Sequence, residues 1–306
     1  MWFLALALLG LGLLYRWYRQ SKILENLSDK YVFITGCDTG FGNLLAKQLD
    51  KRGMKVLAAC LTEKAAENLK NETCSRVQTV ILDVTDSENV RSATKWVSNI
   101  VKDKGLWGLV NNAGIGIPGA ANEWLTTDDF LRVLNVNLLG VIDVTLNMLP
   151  MIRKAQGRLV NVGSAAGRTN VSSGGYGMSK NGIESFSDSL RREMLPFGVK
   201  VSIIEPGFFK TELTNPELHK QSIKLLWQQA SEEVKKSYGA EYFNKSNIGG
   251  LSTALQNAVD KPLMLVMALL MPWRHSAPPV VTCYGLYGAC TDSSSSLDTL
   301  LRWMGY

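Results

Sequence analysis

The chain has 306 residues, 46% of them hydrophobic and 20% charged, which suits one globular domain with a large core and short appendages. The formal net charge is +6, yet Lys and Arg are spread along the chain and form no run, which argues against a nucleic-acid partner and leaves a mild attraction to anionic membrane surfaces. The five cysteines, Cys37, Cys60, Cys74, Cys283 and Cys290, are odd in number and scattered, without the C-x-x-C spacing of a zinc site, and read as reduced thiols.

The first fourteen residues, "MWFLALALLGLGLL", are apolar throughout and are followed by Arg16, Arg19 and Lys22. Basic residues after the apolar run, and no small-residue cleavage site, argue against a cleaved signal peptide. At helical rise the run covers about 21 Å, which fits the thin bilayer of the endoplasmic reticulum when the aromatic residues behind it sit at the interface. Residues 1–22 are therefore expected to be a membrane anchor, with the basic flank keeping the rest of the chain cytosolic. Four N-x-[ST] acceptors, Asn26, Asn71, Asn170 and Asn244, make that topology readable from glycan status.

From residue 31 short apolar runs alternate with longer amphipathic ones. "YVFIT" (31–35), "KVLAAC" (55–60), "VQTVIL" (77–82), "LWGLVNN" (106–112), "GRLVNVG" (157–163) and "VKVSIIE" (199–205) read as buried strands, with helices such as "GNLLAKQLDKRG" and "SENVRSATKWVSNIVKDKG" between them. This predicts an α/β fold, a doubly wound parallel sheet of Rossmann-like type, over residues 30–245. The region of about 208–243 breaks the rhythm with helical segments separated by a Pro and a Gly. An insertion after a late strand lies near the carboxyl edge of the sheet, where ligands bind, so it is expected to be a helical substrate lid. Residues 246–306 lose the pattern: "KPLMLVMALLMPW" is too short to span a membrane and "CTDSSSSLD" is low in complexity, so this part is expected to be atypical, membrane-associated or partly disordered.

After the first strand comes "TGCDTGFG" (35–42). Glycines at a strand-to-helix turn let the backbone approach a pyrophosphate, which the amides and dipole at the helix N-terminus then stabilise. Further along, "YGMSK" sets Tyr176 one helical turn ahead of Lys180, and Ser164 ends the strand "GRLVNVGS". A free tyrosine ionises near pH 10, so a catalytic phenolate needs a nearby ammonium such as that of Lys180. Ser164 is placed to donate to a substrate oxygen where negative charge develops. The two histidines, His219 and His275, lie away from these motifs and suit surface or lid positions, and Trp227 and Tyr238 suit packing in the lid.

T-G-x-x-x-G-x-G, "NNAG" at 111–114, a Ser twelve positions before Y-x-x-x-K and "PG" at 206, in this order, resemble the short-chain dehydrogenase/reductase family across residues 31 to about 245. Within it, "VFITGCDTGFGNLLAKQLDKRGMKVLAACLTEKAAENL", "GLWGLVNNAG" and "VSIIEPGFFKTELTN" are similar to the membrane-bound retinol dehydrogenases and their 3α/17β-hydroxysteroid dehydrogenase relatives. The resemblance implies that Gly36, Gly40 and Gly42 cradle the pyrophosphate, with Asp38 and Phe41 in the same loop. It implies that Asp83 and Val84 meet the adenine, that Asn111 with its neighbours Ala113 and Gly114 braces the nucleotide pocket, and that Pro206, Gly207 and Thr211 complete it, Thr211 as a carboxamide contact. Asn137 matches an asparagine that holds a water in a proton relay, Ser164 a substrate-orienting serine, Tyr176 the general acid/base and Lys180 the lysine that binds the nicotinamide ribose.

The implied activity is hydride transfer between a lipophilic small-molecule alcohol, retinol or a hydroxysteroid, and a nicotinamide cofactor, giving the aldehyde or ketone. A second reading is a retinoid- or steroid-binding membrane protein that keeps the fold and cofactor site but turns over weakly. The second strand ends "AACLTEK", without the Asp that would bind the ribose 2′-hydroxyl. Asp38 would repel a 2′-phosphate if it lies near that ribose, and Lys64 would attract one; NAD is expected, with NADP the alternative. Gly163 stands where close relatives often carry a second serine. The long helices offer a face for a homodimer.

Overall fold

The computed structural model describes residues 27–169, 174–244, 280–284 and 289–292, together with Gly10. The expected anchor (1–22), apart from Gly10, and most of 246–306, including His275, lie outside the described residues.

Strands β1 (Tyr31–Ile34), β2 (Lys55–Cys60), β3 (Val77–Ile81), β4 (Gly108–Asn111), β5 (Arg158–Val162) and β6 (Lys200–Pro206) stand in the sheet order β3-β2-β1-β4-β5-β6, all parallel. Between them run α1 (Gly40–Lys51), α2 (Glu63–Asn71), α3 (Ser87–Val101), α4 (Thr127–Leu134), α5 (Gly140–Lys154), the single turn α6 (Ala166–Thr169) and α7 (Gly175–Met194). The expected doubly wound parallel sheet is therefore present.

Successive strand residues point to opposite faces, and both faces are apolar because helices cover both. On β1, Val32 and Ile34 pack into one layer with Leu45, Ala46 and Leu49 of α1 and Leu69 of α2. Phe33 between them packs into the other layer, with Val90, Val97 and Val101 of α3, Val144, Met148 and Ile152 of α5, and Leu190 of α7. The helix starts are set locally: the Asp86 carboxylate accepts from the amides of Glu88 and Asn89 ahead of α3, and Thr126 with Asp129 forms a capping box at α4. The stretch Thr127–Lys154 is long and apolar enough to cross a membrane by composition, but its apolar face is spent on the sheet.

Asn135–Leu139 forms a π-helical turn between α4 and α5. The helical insertion resolves into α8 (Pro216–Gln229) and α9 (Glu232–Tyr242). Pro216 opens α8 rather than separating helices, because a proline at the first helical position loses no hydrogen bond. The break between the two helices falls instead at Ala230 and Ser231, and the Ser231 hydroxyl accepts from Val234 to start α9. Gly239 then interrupts α9 with φ +74°.

Val280–Tyr284 forms β7, parallel to β6, and Ala289–Asp292 forms β8, antiparallel to β7. The sheet thus continues into the segment expected to be atypical, because the outer ladder of β6 is covered by a strand rather than left as an open edge.

Candidate active site

The sheet order reverses between β1 and β4, and the crevice at their carboxyl ends is where open α/β sheets take ligands. Thr35 closes its floor: its hydroxyl accepts from the amides of Asn112 (3.0 Å) and Ala113 (3.1 Å). The chain then turns through Gly36 at φ +69°, a left-handed conformation, with its Cβ direction blocked by Ala113 Cα at 2.7 Å. At Gly42 a Cβ would stand 2.4 Å from the Gly36 carbonyl oxygen and 2.5 Å from Asn112 Nδ2. Thr39, which precedes α1, makes no side-chain cap, so the first amides of that helix stay available to an anion. These bare, pre-bent glycines and uncapped amides would fit the pyrophosphate of a dinucleotide.

Asp38 departs from the glycine loop towards the carboxyl end of β2. Its carboxylate accepts from the amide of Leu61 (2.9 and 3.1 Å), the amide of Thr62 (3.1 Å) and the Thr62 hydroxyl (3.2 Å). A carboxylate from the first loop thus stands at the carboxyl end of β2. Cys37 beside it is fully buried, donates to the Ile34 carbonyl, and burial pushes its thiol well up, the behaviour of a spectator.

At the end of β3, Asp83 is exposed and accepts from the amide (2.9 Å) and hydroxyl (2.8 Å) of Thr85, while Val84 is buried and its carbonyl lies 2.8 Å from where a Cβ on Gly140 would stand. Asn111 requires a correction. Its side chain turns into the core, donating to Thr145 Oγ1 and Asn161 Oδ1, both at 2.8 Å. The residue that braces the glycine loop is Asn112, whose Nδ2 donates to the carbonyls of Thr35 (3.0 Å) and Gly36 (2.9 Å). Neighbours on a strand face opposite ways, so only one of two adjacent asparagines reaches the crevice.

Asn137 is fully buried in the π-helical turn and holds the next stretch of β4's loop: its Oδ1 accepts from the Ile115 amide (2.8 Å) and its Nδ2 donates to the Ile115 carbonyl (2.9 Å) and Ser179 Oγ (3.1 Å). Such turns recur at functional sites because they re-aim a side chain out of helical register. A Cβ on Gly114 would lie 3.3 Å from Asn137 Oδ1 and 3.7 Å from Lys180 Nζ, so Gly114 keeps this corner open.

Tyr176 and Lys180 stand on the first turns of α7, with Lys180 Nζ 5.7 Å from the centre of the Tyr176 ring. Lys180 Nζ also donates to the Val162 carbonyl at the end of β5 (2.8 Å). Burial lowers the Lys180 ammonium to about 8. By surface the tyrosine is only partly buried, yet enough protein surrounds it that burial raises its phenol above the ordinary value, with the Ser164 hydroxyl acting in the opposite direction. Ser164 Oγ accepts from the Ala166 amide (3.1 Å) and lies 3.5 Å from the Pro206 carbonyl, which joins the ends of β5 and β6.

Beyond Pro206 and Gly207 the chain crosses the mouth of the crevice. Phe209 is buried edge-on against Phe41 of the glycine loop at 5.8 Å, Thr211 lies 3.8 Å from where a Cβ on Gly40 would stand, and Leu213 reaches within 3.3 Å of that point on Gly116. His219 on α8 bonds the Leu213 carbonyl (2.8 Å), a structural role within this segment. Trp227, Tyr238 and Phe243 gather on Trp124 from the loop after β4, at ring distances of 4.7, 5.5 and 6.2 Å. Trp227 and Tyr238 are packing residues, as their sequence setting suggested. Trp124, the hub of that cluster, was not singled out by any motif.

The glycine cradle, the Ser–Tyr–Lys group and the order of their strands define a short-chain dehydrogenase. The sequence pattern of the short chain dehydrogenase family matches residues 30–222, and the chain belongs to that family. It is 61% identical to retinol dehydrogenase 7 of Rattus norvegicus over 242 residues, covering 79% of this chain and 76% of that protein. It is 57% identical to human retinol dehydrogenase 16 over the same shares, and 56% identical to the mouse 17-beta-hydroxysteroid dehydrogenase type 6 over 244 residues, 80% of this chain and 77% of that one. Among solved structures, a short-chain dehydrogenase from Streptomyces avermitilis superposes with a TM-score of 0.68 at 24% identity, over 90% of this chain and 95% of that one. Levodione reductase superposes at 0.67 and 22%, over 85% and 98%. At those identities the superpositions speak for the fold alone.

Proposed function

We propose that the protein is a membrane-anchored, NAD-dependent dehydrogenase that oxidises the hydroxyl of a lipophilic alcohol, retinol or a hydroxysteroid, to the aldehyde or ketone. The observation that carries this reading is the convergence of Lys180 and Tyr176 with Ser164 at the open end of a glycine cradle. When bound, the nicotinamide supplies the hydride acceptor. The chain's own residues do the rest. The Ser164 hydroxyl orients the substrate oxygen, and the Tyr176 phenolate oxygen takes the hydroxyl proton. The Lys180 ammonium stabilises that phenolate, and Asn137, fixed by Ile115 and Ser179, holds the water of a proton relay.

Asp38 favours NAD: its carboxylate occupies the strand end where the adenosine ribose of a dinucleotide lies, and would repel a 2′-phosphate. The segment 208–243 serves as a lid, held to the loop after β4 by the packing of its aromatic residues on Trp124. An anchor in the endoplasmic reticulum membrane lets a substrate that partitions into lipid enter without crossing water.

The test is NADH production by membranes expressing the full chain, with all-trans-retinol and a 3α-hydroxysteroid as substrates, NADP in parallel and Tyr176→Phe as control. Turnover that vanishes in the control supports the dehydrogenase. Folded, cofactor-binding protein without turnover would favour the binding-protein reading. Unglycosylated Asn71 and Asn244 accord with a cytosolic domain, and glycans on them would overturn that topology.

A further inference from the structure

We propose that Arg168, clasped between Glu184 and Glu205, is a positioning residue that aligns Ser164 with Tyr176, and that the ionised Glu184 carboxylate is what tightens the clasp. The inference rests on the dehydrogenase reading above.

Arg168 Nε (3.1 Å) and its terminal nitrogen (2.8 Å) both donate to Glu205 Oε1, and Nε also lies 2.8 Å from Glu184 Oε2 as an ion pair. Each of the three residues belongs to a different element of the site. Arg168 follows Ser164 by four positions, on the turn α6. Glu184 follows Lys180 by one turn of α7 and Tyr176 by two. Glu205 immediately precedes Pro206, whose carbonyl meets Ser164 Oγ. A single guanidinium thus ties the ends of β5, β6 and the catalytic helix together. Its fork closes on Glu205, and the same Nε keeps the ion pair with Glu184.

The join is tight beyond the charges. Asn181 Nδ2 of α7 donates to the Gly167 carbonyl (3.0 Å), and a Cβ on Gly167 would stand 2.8 Å from Glu184 Oε1 and 3.0 Å from the Lys180 carbonyl carbon. Glu184 Oε1 is itself buried and has no hydrogen-bond partner. A buried carboxylate with one unpartnered oxygen is an expensive feature for packing alone.

The groups acting on Glu184 are Arg168 from α6, Glu205 from β6 and Asp188 one turn further along α7, while Lys180 on its other side is engaged with Val162. Burial first, then Glu205 and Asp188, push the Glu184 carboxyl up to about 7 against the pull of Arg168. Above that pH the ionised carboxylate draws Arg168 against α7. Below it Arg168 is left to Glu205, and the Ser164 turn loosens from the helix that carries Tyr176. Alcohol turnover falls while cofactor affinity stays.

The experiment uses the full chain in membranes, as wild type, Glu184→Gln and Arg168→Lys, with kcat and KM for the alcohol followed from about pH 6 to about pH 9. Wild type is expected to lose roughly tenfold in kcat on passing below pH 7, on top of any slope set by Tyr176. Glu184→Gln is expected to sit at the lower level throughout, with KM and NAD affinity changed by less than about twofold. Arg168→Lys, which keeps the charge but lacks the guanidinium fork, is expected to lose kcat similarly, and serves if Glu184→Gln fails to fold.

Melting of the detergent-solubilised protein gives a readout free of turnover. Because the folded state holds the Glu184 proton more tightly than the unfolded chain, wild-type stability falls as pH rises from the ordinary carboxyl range to about 7, and Glu184→Gln lacks that component. Wild-type kcat in both variants, or an acid limb and a melting slope that persist unchanged in Glu184→Gln, would overturn the proposal. If wild type turns over no alcohol, the dehydrogenase reading fails, and the melting slope still decides whether Glu184 is charge-linked to the fold.

Discussion

The ammonium of Lys180 lies 5.7 Å from the centre of the Tyr176 ring, and burial acts on the pair in opposite senses, lowering the lysine to about 8 and raising the phenol. The mechanism needs that ammonium, because it stabilises the Tyr176 phenolate that takes the alcohol's proton. We therefore expect the rate of alcohol oxidation to fall as pH rises through about 8, where Lys180 loses its charge, and the rate of carbonyl reduction, which starts from the neutral phenol, to fall less. Initial rates in both directions across that range check the sign.

Tyr176→Phe removes the proton-transfer oxygen and little else, since the ring keeps its place beside Lys180. Turnover should drop by roughly a thousandfold or more, the range that a lost general base commands, with NAD affinity retained. Fluorescence titration of the variant with NADH separates the two effects.

Asp38→Asn keeps an acceptor for the amides of Leu61 and Thr62 but removes the charge. The ratio of kcat/KM with NADP to that with NAD should rise by about tenfold, roughly 1.4 kcal/mol, with Lys64 left to attract the 2′-phosphate. Paired assays with the two cofactors on one preparation measure it.

Gly42→Ala places a methyl 2.4 Å from the Gly36 carbonyl oxygen. That contact is with backbone and has no flexible neighbour to yield, so the protein should lose about 1–3 kcal/mol of stability together with its affinity for the cofactor. Denaturant melts and NADH titration of the same variant report the two losses.

Trp227→Ala strips the lid of its ring contacts with Trp124 and with Phe243, stacked at 5.0 Å. Each aromatic pair contributes about 0.5–1.5 kcal/mol beyond its buried area, so the lid should close less firmly. KM for the lipophilic alcohol should rise severalfold while NAD affinity holds, in contrast to the glycine-loop variant.

Much of the architecture was legible because local signals agreed with the fold. "KVLAAC" is bounded by Gly53 on one side and the helix-capping Thr62 on the other, and β2 occupies those six residues. "LWGLVNN" began two residues early, because Leu106 and Trp107 are buried ahead of the ladder and read like strand residues. Strand β7 was missed although "VVTCY" is rich in β-branched residues, because its pairing with β6 is a contact across more than seventy residues that no local pattern carries. The family resemblance named Asn137, Ser164, Tyr176 and Lys180, but the choice between Asn111 and Asn112 needed the phase of the strand. The Arg168 clasp joins residues 168, 184 and 205, whose separations match no helical or strand period.

Phe41 belongs to the loop that would hold the dinucleotide, and Phe209 to the root of the segment that would cover the alcohol, and the two rings meet edge to face. A nucleotide that steadied Phe41 would, through that contact, steady the root of the roof before the alcohol entered. The expected order of binding is nucleotide first, and the expected order of release is its reverse, oxidised product before reduced nucleotide, which product-inhibition patterns read out.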